Sequence, residues 1–79
     1  GIRIRLFAGL REEAGWAEQH WPIPAASAAA PTPQQLWDAL QLPGPLSGVR
    51  IAINQQFSAA DAALHPGDEL AFLPPISGG

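Results

Sequence analysis

In three segments of the chain, every second residue is hydrophobic and shares one face, which is the pattern of a β-strand with one buried face. These segments are residues 2–8, 49–53 and 69–73. In the first segment, Arg3, Arg5 and Phe7 share the face opposite three aliphatic residues. The pattern therefore predicts three strands, each with one face on a hydrophobic core.

Two further strands are predicted from weaker alternation. Residues 16–23 favour a short strand at a sheet edge, because Pro22 has no N–H to donate to a ladder. A second short strand is expected around Phe57, after a turn at residues 54–56. The Ala-rich segment 24–31 is enclosed by prolines, which predicts a loop.

Helical spacing of apolar residues begins at a strong start signal near the middle of the chain. Thr32 can cap the first turn, Pro33 suits the first helical position, and Gln35 completes a capping box. The sequence Pro-Gly-Pro at residues 43–45 cannot continue this helix. A shorter helical turn, closed by a glycine, is predicted over residues 9–15.

The predicted order of elements is strand, strand, helix, strand, short strand, strand, without an internal repeat. A chain of 79 residues supports a single hydrophobic core. We therefore expect an α+β protein with a mixed sheet of about five strands and one main helix packed on one face. The other face of the sheet is left open to solvent or to a partner. The folded domain is expected over residues 1–75, followed by a flexible C-terminal tail at residues 76–79.

Composition and charge exclude several classes of function. The net charge is −3, and the four basic residues are arginines that form no stripe interleaved with aromatics, so nucleic-acid binding is not expected. The sequence contains no cysteine, which excludes a disulfide, a thiolate metal site and a cysteine nucleophile. Because no run of about 20 apolar residues and no signal peptide are visible, we expect a cytoplasmic protein that does not span a membrane.

The last six residues have a composition suited to insertion into a narrow site. Pro74 and Pro75 stiffen the exit from the last strand, and Ile76 is an apolar residue with no core left to cover it. Gly78 and Gly79 follow, and glycine can enter a channel too narrow for any side chain. Fully extended, this segment reaches roughly 20 Å. We predict that the Gly79 carboxylate is the reactive group and that Gly78 provides clearance.

A docking surface is predicted where this tail leaves the sheet. Leu73 falls on the face of the last strand that points away from the core. If the first and last strands lie side by side and parallel, Phe7 and Leu73 meet near the exit of the tail. Together with Pro75 and Ile76 they would form an exposed apolar patch that binds a partner.

Phe7, near the end of the first strand, and the ending Phe-Leu-Pro-Pro-Ile-Ser-Gly-Gly are the specific signals of a family resemblance. With them, the sequence resembles the small subunit of molybdopterin synthase, a MoaD-type sulfur carrier of the ubiquitin-like β-grasp superfamily that is related to ThiS. The resemblance covers nearly the whole chain and is strongest at residues 4–12, 51–55 and 64–79. Residues 25–33 depart from the family pattern and look like a variable loop.

The resemblance implies a sulfur donor that is not catalytic on its own. An adenylating enzyme of the ubiquitin-activating type (MoeB-type) would use ATP to charge the Gly79 carboxyl with AMP, and a persulfide donor would then leave a thiocarboxylate. The tail would enter the large subunit of molybdopterin synthase (MoaE-type) and give its sulfur to cyclic pyranopterin monophosphate. The implied assembly is a heterotetramer with two large subunits at its centre. The carrier itself is expected to bind no cofactor and no metal.

Other functions stay open on the sequence alone. A sulfur carrier for thiamine thiazole formation or for tRNA thiolation is the nearest alternative, although the Pro-Pro step and the length favour the molybdopterin branch. A ubiquitin-like modifier joined to lysines of target proteins is a different class, and the lack of lysine in this chain weighs only weakly against it. The third alternative is an interaction domain with a frayed end.

Overall fold

The computed structural model describes residues 1–22 and 30–74. Most of the predicted loop at residues 24–31 and all of the tail beyond Pro74 therefore lie outside the described residues. In chain order the elements are β1 (Ile2–Leu6), α1 (Ala8–Ala14), β2 (Glu18–Trp21), α2 (Pro33–Ala39), the 3₁₀ helix η1 (Leu46–Gly48), β3 (Arg50–Ile53), β4 (Gln56–Phe57) and β5 (Glu69–Leu73). The predicted α+β class is confirmed, and the predicted 9–15 turn is a helix as long as α2.

The five strands form one mixed sheet in the order β2-β1-β5-β3-β4. β1 and β5 are parallel neighbours at its centre, whereas the other three pairs are antiparallel. The arrangement of the first and last strands on which the docking prediction depends is therefore present. The two strands predicted from weak alternation, β2 and β4, occupy the edges, where a strand needs partners on one side only.

The hydrophobic core lies between one face of this sheet and the two helices. Ile4, Leu70 and Phe72 are completely buried at the centre of the sheet face. Trp37 of α2 packs edge-on against Phe72, with ring centroids 5.0 Å apart, and its indole N–H donates to the Gly44 carbonyl at 3.1 Å. Among the described residues, neither helix has the length and hydrophobicity that crossing a membrane requires.

The start of α2 follows the predicted capping box. The Thr32 hydroxyl accepts from the Gln35 backbone N–H at 3.2 Å, and the Gln35 side chain accepts from the Thr32 N–H at 3.0 Å. The helix ends at Ala39, before the Pro-Gly-Pro sequence as predicted, and Gln41 follows it in a left-handed conformation with φ of 55°. At the end of α1, Gly15 has φ of 86° and donates to the Arg11 carbonyl, so glycine closes this helix as predicted.

Candidate partner-binding face

The open face of the sheet carries the side chains that point away from the helices. In the parallel ladder Leu6 pairs with Phe72, so the next residues along each strand, Phe7 and Leu73, leave the same end of the sheet. Phe7 keeps an extended backbone, with φ of −132° and ψ of 157°, so the alternation continues through it. Both side chains are half-buried rather than fully exposed. The structure thus brings Phe7 and Leu73 to one end of the sheet, and their role in binding stays a prediction.

Two arginines border this end of the sheet, each stacked on an aromatic ring. The Arg5 guanidinium carbon lies 5.2 Å from the centroid of the Phe7 ring. On the other side, Arg50 is the cross-strand partner of Leu73 and lies 5.8 Å from the ring of Phe57. Such pairs hold a cation and an aromatic surface together at the protein surface.

Phe57 is the surface residue that the sequence interpretation missed. It is 72% exposed, the highest value among the large hydrophobic residues of the described chain. Its partner across the β3–β4 ladder is Ala52, which pairs in turn with Ala71 of β5. The signal was present, because inward-facing Ile51 and Ile53 force Ala52 onto the open face and the short hairpin then places Phe57 beside it.

These residues define an open-face strip that crosses three of the five strands and continues to the end of β1. We use this name for Phe7, Leu73, Ala71, Ala52 and Phe57, of which the two alanines are buried and Phe57 is the exposed member. The strip is apolar, it begins where the described chain ends after β5, and it is bordered by Arg5 and Arg50. An apolar surface with a polar border is the usual anatomy of a protein–protein interface.

The rest of the open face is ionic. Arg3 and Arg5 both lie between two carboxylates, Glu18 on β2 and Glu69 on β5, at N–O distances of 3.5–3.9 Å. All four side chains retain contact with solvent, so each ion pair contributes little to stability. These ion pairs neutralise the charges of Arg3 and Arg5 locally. They form an ionic half of the open face that lies beside the apolar strip.

A hydrogen-bond hub lies at the end of the sheet opposite the tail. One Asp68 carboxylate oxygen accepts from the Asn54 side-chain amide at 3.0 Å, and the other accepts from the His65 backbone N–H at 2.8 Å. The side-chain amide oxygen Oδ1 of Asn54 accepts from the Glu69 backbone N–H at 3.0 Å. The Asn54 amide first, then the His65 N–H, hold the pKa of Asp68 below its ordinary value of 3.8, because both favour the charged carboxylate. The hub fixes the β3–β4 hairpin to the turn before β5.

The remaining predicted site residues, Pro75, Ile76, Gly78 and Gly79, lie outside the described residues. Their proposed roles as anchor and reactive tip therefore stay predictions. Within residues 1–22 and 30–74, no three His, Asp or Glu side chains are grouped in a way that suits a metal ion.

Comparison with known proteins gives matches over nearly the whole chain. The molybdopterin synthase sulfur carrier subunit of Arabidopsis thaliana is 37% identical, and the match covers 99% of this chain and 82% of that protein. Among solved structures, SAMP1 (small archaeal modifier protein 1) of Haloferax volcanii is 27% identical with a TM-score of 0.77, covering 99% of this chain and 98% of that one.

A third similar structure is a protein–protein complex of subunits 1 and 2 of molybdopterin-converting factor from Helicobacter pylori. The matched chain is 25% identical with a TM-score of 0.60, and the alignment covers 99% of this chain and 97% of that one. These likenesses confirm the predicted ubiquitin-like β-grasp fold. The ThiS family matches residues 4–79, which includes most of β1, all of β5, the open-face strip and the final glycines. The chain belongs to the ThiS family.

Proposed function

We propose that this chain is the sulfur carrier subunit of a molybdopterin synthase. The observation that carries the proposal is the 37% identity to the Arabidopsis thaliana sulfur carrier subunit over 99% of the chain. The family match extends through Gly79, the residue that would carry the sulfur. The Helicobacter pylori complex of subunits 1 and 2 supports a large subunit as the partner.

In this proposal the chemistry takes place on the Gly79 carboxyl. An adenylating partner forms an acyl-adenylate from the carboxylate and ATP, releasing pyrophosphate. A persulfide sulfur then attacks the acyl carbon and displaces AMP, and a thiol cleaves the sulfur–sulfur bond to leave a thiocarboxylate. The carrier contributes the acyl group and the reach of its tail, whereas ATP binding and catalysis belong to the partners. Inside the large subunit, the sulfur is transferred to cyclic pyranopterin monophosphate.

The geometry of the open face supports docking beside the tail. Parallel pairing of β1 with β5 places Phe7 and Leu73 at the end of the sheet where the chain continues into Pro74. A partner that covers the open-face strip would therefore hold the start of the tail close to its own surface. From Pro74, an extended six-residue segment reaches roughly 20 Å into such a partner. Docking and delivery are thus separate tasks of neighbouring parts of the chain.

Reconstitution with the large subunit tests this separation. Deletion of Gly78 and Gly79 is expected to keep the fold and partner binding and to abolish sulfur transfer. Leu73→Glu is expected to weaken binding at least tenfold, because it places a charge within the apolar strip, beside the exit of the tail. Ala39→Glu is the matched control, since it adds the same charge to an exposed position on α2, on the other layer. Equal binding by L73E and A39E would contradict the docking assignment.

A ubiquitin-like modifier is the second candidate, because of the 27% identity and TM-score of 0.77 with SAMP1 of Haloferax volcanii. Both candidates activate the same carboxyl, and they differ in what is transferred: a modifier gives its acyl group to a lysine amine, whereas a carrier gives the sulfur of its thiocarboxylate to an acceptor. Mass spectrometry of the protein isolated from its host separates them. An intact chain with sulfur at its end supports the carrier, and isopeptide adducts on lysines of other proteins support the modifier.

Carriers for thiamine thiazole formation or tRNA thiolation share the thiocarboxylate and differ in the acceptor. Supplying the charged carrier with each purified acceptor system distinguishes these pathways. We expect transfer only with the molybdopterin large subunit and its pterin substrate. Transfer to a thiazole-forming or tRNA-modifying system alone would move the chain to another branch of the family.

A further inference from the structure

A groove lies at the sheet edge where β4 ends. It has a volume of about 540 Å³ and separates η1 and the start of α2 from the β3–β4 hairpin. The side chains that form its walls are mostly apolar with one cation, and those used below are Leu46, Val49, Arg50, Ile51, Phe57 and Ser58. Among the described residues, none of these forms part of the hydrogen-bond hub or the ionic network.

The backbone of β3 presents an unused hydrogen-bond donor to this groove. The Asn54 N–H donates to Glu69 on β5 at 2.8 Å, so by alternation the N–H and C=O groups of Ile51 point the other way, towards β4. The Ile51 carbonyl accepts from the Ser58 N–H at 2.9 Å. β4 ends at Phe57, and within the described part of the chain no acceptor pairs with the Ile51 N–H. A strand edge with a free donor is a place where another strand can be added.

The same edge carries a positive charge without a neutralising partner. Arg3 and Arg5 each lie within 4 Å of glutamate oxygens. Arg50 has no carboxylate at that distance among residues 1–22 and 30–74, and its guanidinium lies over the exposed ring of Phe57. On a chain whose net charge is −3, this is a local site for a negatively charged group.

We propose that the groove binds an extended, acidic segment of a protein partner as an added strand on β3. The Ile51 N–H would donate to a backbone carbonyl of that segment, Arg50 would pair with a carboxylate, and Phe57 would cover an apolar side chain. This is recognition by β-strand addition, in which the main chain provides affinity and the side-chain contacts provide selectivity.

The groove is continuous with the open-face strip, because Phe57 belongs to both and Arg50 lies directly opposite Leu73. A partner docked on the strip can therefore extend a segment around the sheet edge without leaving the surface. The proposal concerns a surface separate from the tail and stands whether or not Gly79 carries sulfur.

Nuclear magnetic resonance of the full chain tests the proposal with two blocked heptapeptides as probes. One is Thr-Val-Asp-Val-Asp-Val-Thr, and the other has lysine in place of both aspartates. We expect the acidic peptide to shift the amide resonances of residues 49–51 and Ser58 and to slow hydrogen exchange of the Ile51 N–H. It should bind about tenfold more tightly than the lysine peptide, since attraction to Arg50 is replaced by repulsion.

Two exposed arginines give a matched pair of variants. Arg50→Gln is expected to reduce the preference for the acidic peptide to about twofold or less, whereas Arg11→Gln, on α1, should retain it. Equal binding of the two peptides, or shifts confined to β2, would overturn the proposal. So would a clear gain in affinity on removing residues 75–79, which would identify the chain's own tail as the occupant. Concentration-dependent shifts of the same amides without peptide would identify a second copy and overturn it as well.

Discussion

Replacement of Asp68 by alanine is expected to destabilise the fold markedly although the residue lies at the surface. The substitution removes two hydrogen bonds to a charged acceptor, from the Asn54 amide at 3.0 Å and from the His65 N–H at 2.8 Å. Such bonds contribute about 1.5–3 kcal/mol each, and partial solvent access favours the lower end, so the loss should be about 2–3 kcal/mol. For a domain of this size that lowers the melting temperature by roughly 10–20 °C.

The stability lost on replacing Asp68 by alanine depends on pH, and it decreases in acid. Because the pKa of Asp68 in the folded chain is below its ordinary value of 3.8, the folded state binds fewer protons than the unfolded state in that range. The contribution of Asp68 is therefore fully present above the unfolded pKa and disappears as the pH falls through the folded one. The difference in unfolding free energy between wild type and Asp68→Ala should be present above about pH 4 and should shrink as the pH falls below it.

Urea denaturation at several pH values measures the free energy of unfolding and its pH dependence. Tryptophan fluorescence reports unfolding, because Trp37 is buried in the core. Asp68→Asn should be intermediate, since the amide oxygen preserves one acceptor without the charge. Asp61→Ala is the control, because Asp61 is an exposed carboxylate without a side-chain hydrogen bond among the described contacts, and it should change stability by no more than about 0.5 kcal/mol. If D68A and D61A unfold at the same urea concentration, the hub does not hold the hairpin to the last strand.

Three further substitutions test the local structure by the same denaturation assay. Thr32→Ala removes the bond that the Thr32 hydroxyl accepts from the Gln35 N–H and should cost about 1 kcal/mol, whereas Thr32→Ser should retain most of the stability. Gly15→Ala should destabilise by about 1 kcal/mol, because Gly15 has φ of 86°. Gly9→Ala, in the first turn of α1 with open space around it, should be neutral or stabilising by up to about 1 kcal/mol, and destabilisation by both would contradict the assigned end of α1. Leu64→Ala should cost about 2–5 kcal/mol, because the side chain is only 1% exposed, and a loss below about 1 kcal/mol would show that Leu64 does not fill the core.

The central part of the fold was predictable because each signal there has a local physical cause. Alternation fixed the buried face of β1, and Ile2 and Ile4 are indeed fully buried. The capping box fixed the start of α2, because the reciprocal bonds of Thr32 and Gln35 depend on residues three apart. Gly15 marked the end of α1 for the same kind of reason, since few other residues tolerate its conformation.

Features that depend on distant parts of the chain were not predictable in this way. The last residue of α2 was not predictable, because Gln41 takes a left-handed conformation that no glycine or asparagine marks in the sequence. Nothing in the local pattern indicates η1 at Leu46–Gly48. The Asn54–Asp68 bond joins residues 14 positions apart. Sequence patterns identify which residues face the core, whereas sheet order decides which of the others become neighbours.

The most direct test of the sulfur-carrier account is intact-mass measurement of the chain after incubation with ATP, an adenylating enzyme of the ubiquitin-activating type and a persulfide donor. We expect a product with sulfur in place of one oxygen at Gly79, formed by the wild type and absent when Gly78 and Gly79 are deleted. That product should return to the uncharged mass when the large subunit and its pterin substrate are added. An acyl-adenylate that accumulates without gaining sulfur, or sulfur located at any other residue, would contradict the account.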